Sequence, residues 1–217
     1  MDHGPTHEDL AHIRSLMERS TRFISLSGLS GVFAGLVALC GAYLAHGCIQ
    51  FYTWPDADPI AYTPIRSDQG YRSLLLSLVV IGSTVLAVAL SGASWFTWRR
   101  SKRLGVPLWD SSARRLAWNL LIPLAAGGVV CLSFIYHGLP GLVAPATLVF
   151  YGLALLNASK YTLDEVRWLA LSELALGVIA SFWIGAGLLF WAFGFGVLHI
   201  VYGTLMWLRH ERDQVKA

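Results

Sequence analysis

The sequence predicts an all-α, polytopic membrane protein, and three observations carry that fold class. Of its 217 residues, 55% are hydrophobic and 13% charged, with a mean hydropathy of +0.56; a soluble domain carries about a quarter charged residues. The charge deficit is concentrated in six apolar runs near 23–45, 73–97, 116–136, 139–158, 168–184 and 187–207, each long enough to cross a bilayer as a helix. The third observation is the placement of Lys and Arg. With the N-terminus set in the cytoplasm, Arg14, Arg19, Arg22, Arg99, Arg100, Lys102, Arg103, Arg114, Arg115, Lys160, Arg167, Arg209, Arg212 and Lys216 fall inside, and only Arg66 and Arg72 fall outside. This positive-inside bias puts both termini in the cytoplasm (N-in/C-in). Trp98, Trp118, Trp168 and Trp207 stand at the inner ends of their spans, where amphipathic rings collect. The net charge of +3 then reflects topology and anionic lipid contact, and implies no nucleic-acid partner.

Along the chain, residues 1–21 read as a cytoplasmic amphipathic helix, with Thr6 and Asp9 at capping-box spacing and Leu10, Ile13 and Met17 on one stripe. The first apolar run is too long for the core of a cleavable signal. Residues 22–98 form a first hairpin with a long outer loop at 46–72, which contains Trp54-Pro55, Pro59 and Pro64. A basic cytoplasmic loop occupies 99–115. Residues 116–159 form a second hairpin, turning at His137-Gly138-Leu139-Pro140. Residues 160–217 hold a third hairpin, turning at Ile184-Gly185-Ala186-Gly187, and the cytoplasmic tail. Phe150-Tyr151-Gly152 and Val201-Tyr202-Gly203 lie in matching places, with Leu90-Ser91-Gly92 in the same place on span two, which suggests a threefold repeat of a two-helix unit. Cys40, Cys48 and Cys131 form no metal or redox motif and are expected as free thiols.

Two ionisable side chains sit deep in the apolar segments. Glu173 and His199 each stand 13 residues from Ala186 in the third turn, so in an antiparallel hairpin they share a depth roughly 20 Å from it. Each lies on a face of small residues: Ala170, Gly177 and Ala180 beside Glu173, and Ala192, Gly196 and Gly203 beside His199. Such faces let helices approach closely, so the acid and the base are expected to meet inside the bundle. Ionisable groups within a membrane mark functional sites by default, and an acid with an imidazole suits proton handling or a protonation-gated site. The bland alternative is a hydrogen-bonded clasp between two helices. A polar collar of Ser, Asn119, Asn157, Tyr151 and Tyr202 surrounds the pair in sequence depth. The candidate ligand or proton-binding residues are therefore Glu173, His199, Asn119, Asn157 and Tyr202.

Other chemistry finds little support. His46 and His137 stand at outer helix ends and no HxxxH spacing occurs, so neither a metal nor a haem cofactor is expected. Gly28-Leu29-Ser30-Gly31 resembles the GxSG motif of rhomboid intramembrane proteases, but it stands in the first span and no HxxxN segment accompanies it. The sequence thus weighs against an enzyme.

Three stretches together, Glu18 to Gly31, Leu156 to Thr162 and Gly194 to Gly203, resemble a group of bacterial six-span integral membrane proteins. The resemblance carries no activity to transfer. It agrees with a multi-pass protein of the bacterial inner membrane. The expectation from the residues is a protein that binds or transports a small polar ligand or lipid head group at an inner-leaflet cavity. The alternative is a non-catalytic structural or signalling subunit, homo-oligomeric, with the pair as its clasp.

Overall fold

The computed structural model describes residues 26–53, 60, 68–107 and 109–212. The amphipathic helix expected at 1–21 and most of the outer loop lie outside the described residues. Among them the chain is all-helical: α1 Gly28–Tyr52, α2 Asp68–Leu104, α3 Ser111–Tyr136, α4 Val143–Ala158, α5 Asp164–Phe182, α6 Gly187–Trp191 and α7 His199–His210. A π-helical segment, Ala192–Leu198, joins α6 to α7. Five stretches are long and apolar enough to cross a membrane: α1, α2, α3, Pro140–Tyr161 around α4, and the continuous Ile184–His210. This is the pattern of a multi-pass membrane protein. Helix α5 carries Asp164, Glu165, Arg167 and Glu173 within 19 residues, and so falls outside that group.

The first two helices are longer than expected. Helix α1 continues past 45 to Tyr52, where Thr53 returns its N–H to Ile49 O at 3.0 Å, ahead of Pro55, which disfavours helix in the residue before it. The basic loop expected over 99–115 is corrected more substantially. Residues 99–104 are the last turns of α2, and α3 begins already at Ser111. The run stays helical because Arg100 and Ser101 are buried, with Arg100 bonded to Leu26 and Glu211. Gly105, at φ 65°, ends the helix. Its N–H bonds Lys102 O and the Val106 N–H bonds Ser101 O, the paired bonds of a glycine-terminated helix. Asp110 then caps α3 by accepting from Ala113 N at 2.6 Å. Gly138, at φ 74°, ends α3 in the same way, with Leu139 N bonded to Phe134 O at 2.8 Å.

Helix α1 lies between α2 on one side and the π segment with α7 on the other, while α4 lies between α3 and α5. The two groups meet where α6 packs on α4 and where α6, the π segment and α7 pack on α5. Glycines set the closest approaches. A Cβ on Gly35 would stand 2.6 Å from Gly196 O, one on Gly203 2.7 Å from Gly28 O, and one on Gly152 2.7 Å from Leu174 N. Backbone therefore rests on backbone, the close packing that small residues permit in lipid. The three corresponding glycines do not repeat their contacts: Gly152 meets α5 of the third hairpin and Gly203 meets α1 of the first, whereas Gly92 meets Phe33 of its own hairpin. The third hairpin also departs from the others, since α5 packs mainly on α4 and α7 mainly on α1.

Candidate functional site

Glu173 is completely buried on α5. Its Oε1 lies 3.3 Å from His199 Nδ1, across the seam between α5 and α7. The two residues equidistant from the turn do meet. The π segment immediately before His199 shapes the contact. Gly194 presents its α-carbon to the acid, where a Cβ would stand 2.5 Å from Glu173 Oε2. It also presents its carbonyl to the base, 3.1 Å from His199 Nδ1. On the other side of the ring, His199 Nε2 is 2.7 Å from Tyr151 Oη. Nδ1 faces two oxygen acceptors, so it carries the ring hydrogen, and Nε2 accepts from the tyrosine hydroxyl. Phe195 lies nearly parallel to the imidazole at 21°, and Tyr151 at 30°. The aromatic rings shield the pair and fix the ring plane.

One feature of this cluster is costly. Neither carboxylate oxygen of Glu173 has a hydrogen-bond partner, because the Nδ1 hydrogen is directed at Gly194 O. A buried polar group left in this state costs about 1–3 kcal/mol, and π turns inside helices are frequent at functional sites.

The other expected residues stand elsewhere. Asn157 Nδ2 donates to the main-chain carbonyl of Asn119 at 3.2 Å. That carbonyl is the one Pro123 leaves without a helical donor, because proline lacks an N–H. The Asn119 side chain bonds Arg115 O on its own helix at 2.8 Å. Tyr202 Oη meets Ser172 Oγ at 3.2 Å. No hydrogen bond links these groups to Glu173 or His199, so the collar divides into separate local contacts. Two grooves lie away from the pair. One groove of about 510 Å³ runs along the far end of α1, from Tyr43 to Tyr52, with Ser77. Another of about 430 Å³ lies between α3 and α4. Neither is lined by Glu173 or His199. Among the described residues, no group of three or more His, Cys, Asp or Glu could hold a metal ion, and the three cysteines are free.

Sequence reasoning passed over Tyr151 as a site residue. The parallel tripeptides present Tyr151 and Tyr202 as equivalents and do not show which reaches the histidine. It also passed over the last turn of α7 and the residue after it, which fasten the basic end of the bundle. Glu211 accepts from Gly28 N at 2.5 Å, from Ser27 Oγ at 3.1 Å and from Arg100 Nη1 at 3.1 Å. It thus caps α1 and pairs with α2, and a carboxylate at a helix N-terminus is favoured by the helix dipole. Arg209 and His210 both donate to Glu165 Oε1, at 3.1 and 3.2 Å. Burial works to raise the Glu165 carboxyl, but its own backbone N–H, Arg209 and His210 outweigh it and hold the group below the ordinary glutamate value.

No family model, curated protein or solved structure matches the chain.

Proposed function

We propose that this is a six-span protein of the bacterial inner membrane with both termini in the cytoplasm. In this reading Glu173, His199 and Tyr151 form a proton-responsive latch that governs binding or passage of a small polar solute. Helix α5 serves as the sixth crossing. Apart from Glu173 its charges, Asp164, Glu165 and Arg167, lie in its first turn, level with the basic ends of the other helices. The observation that carries the proposal is a fully buried carboxylate with neither oxygen hydrogen-bonded. A helix clasp gains from satisfied groups, so a donor-starved acid beside an imidazole is better suited to exchanging a proton than to holding helices together. Chemically, the Nδ1 hydrogen is directed at Gly194 O, with Glu173 Oε1 3.3 Å from the same nitrogen. A change of charge at Glu173 redirects it and removes a partner from the π segment. The solute path then opens along the α5, α6 and α7 seam.

A second reading has its own support. The cluster is buried and lines neither groove, as the clasp of a structural or signalling subunit would be. Infrared difference spectra between acid and alkaline pH separate the two. The latch gives a buried carboxylic-acid band, accompanied by an amide change, that Glu173→Gln abolishes in a folded protein. A lower melting temperature in Glu173→Gln, with no carboxyl band in the wild type, rejects the latch in favour of the clasp.

A further inference from the structure

The groove between α3 and α4 is built differently from the latch. Its walls are Pro123, Phe150, Leu153 and Leu156, and its basic end holds Asn157 and Lys160. Phe150, Leu153 and Asn157 recur at helical spacing on α4 and Lys160 follows in the Ser159–Tyr161 turn, so the groove wall runs from aromatic and aliphatic to amide and then to ammonium. No acidic side chain lines it. Asn157 is engaged with Asn119 O at 3.2 Å, and Lys160 Nζ rests 3.4 Å from Asn157 Oδ1; the lysine is exposed and can turn to an anion. Helix α3 packs on the Ser159–Tyr161 turn and carries Arg115 one turn before Asn119, also exposed.

From this arrangement we infer that the α3–α4 groove is a binding site for one anionic glycerophospholipid, with its phosphate on Lys160 and an acyl chain along Leu156, Leu153 and Phe150. Charge and polarity choose the occupant. An apolar slot ending in the Lys160 ammonium at the basic end matches a lipid whose chain lies in the bilayer core and whose head group meets basic residues at the surface. A zwitterionic lipid fits the slot but gains less from Lys160. The inference rests on the membrane placement proposed above and not on the Glu173 latch.

Native mass spectrometry of the delipidated, detergent-solubilised full chain, titrated with phosphatidylglycerol and with phosphatidylcholine, tests it. The wild type is expected to bind phosphatidylglycerol preferentially. Lys160→Gln lowers that preference about fivefold, and Lys160→Arg keeps it. Lys102 supplies the control, because it belongs to the same basic end but sits over Trp98 at 4.0 Å, away from the groove. Lys102→Gln leaves the preference unchanged. Equal binding of the two lipids by the wild type overturns the site, and so does an equal loss in Lys102→Gln and Lys160→Gln. Matching melting temperatures for the variants confirm that the comparison is between folded proteins.

Discussion

Asn157 on α4 supplies the hydrogen bond that Pro123 denies to the main-chain carbonyl of Asn119 on α3, across 3.2 Å. A proline defect in one helix is thus repaired by a side chain from its neighbour, as happens in membrane helices where water does not reach the freed carbonyl. Asn157→Leu is expected to destabilise the protein by roughly 0.6–2 kcal/mol. Pro123→Ala restores an N–H to α3, and in that background Asn157→Leu should cost much less. Thermal unfolding of the two single variants and the double variant measures this coupling. Additive effects would separate the asparagine from the proline.

Gly194 is the tightest point of the acid–base cluster. A methyl group there meets Glu173 Oε2 at 2.5 Å and Leu148 Cδ2 at 2.6 Å. Gly194→Ala should cost about 1–3 kcal/mol by overpacking, and Glu173→Ala in the same chain should recover part of that. Gly82 and Gly128 have nothing within 4 Å of such a methyl. Alanine at either is expected to be neutral or to stabilise by up to about 1 kcal/mol, because glycine is a poor helix former. Melting temperatures of the variants in one detergent give the ranking.

Removal of the Glu211 carboxylate leaves Arg100 buried with Leu26 O as its remaining acceptor, and leaves the first N–H of α1 uncapped. Glu211→Ala is expected to lose about 3 kcal/mol, and Glu211→Gln, which still accepts from Gly28, less. Arg100→Met combined with Glu211→Ala should cost less than the two single changes together, because the double variant buries no unpaired charge. Chemical unfolding followed by tryptophan fluorescence reads the cycle.

Glu165 gives the bundle a pH dependence of known sign. Its carboxyl is held below the ordinary glutamate value in the folded state. Its ion pairs therefore stabilise fully above the unfolded value, and that stabilisation is lost as pH falls through the folded one. The melting temperature should drop on acidification below the usual carboxylate range, and Glu165→Gln should flatten that part of the profile while lowering the neutral plateau. A profile unchanged by Glu165→Gln would assign the acid sensitivity to another group.

Much of this architecture was legible because membrane helices announce themselves by length and by the absence of charge. The turns were legible because Gly138 and Pro140, and Gly185 to Gly187, interrupt apolar runs. The Glu173–His199 contact followed from equal distances to one turn. Other features depended on partners far away in sequence. Local contacts such as Lys102 over Trp98 suit a helix through 99–104, but the partner that buries Arg100 there stands 111 positions on. The π segment at Ala192–Leu198 is invisible in an apolar run where every register looks alike. Asn119 and Asn157 were read as ligands because the carbonyl that Pro123 orphans becomes a partner only when α4 is placed beside α3.

The Glu211 contacts also bear on the order in which the protein is made. Helices α1 and α2 leave the ribosome well before α7, carrying an arginine and an uncapped N-terminus whose partner is synthesised more than a hundred residues later. That pair of helices therefore enters the membrane incomplete, and closure of the basic end waits for α7 and Glu211. Chains stalled before Glu211 would display Arg100 without its carboxylate, an exposed mark by which unfinished molecules differ from finished ones.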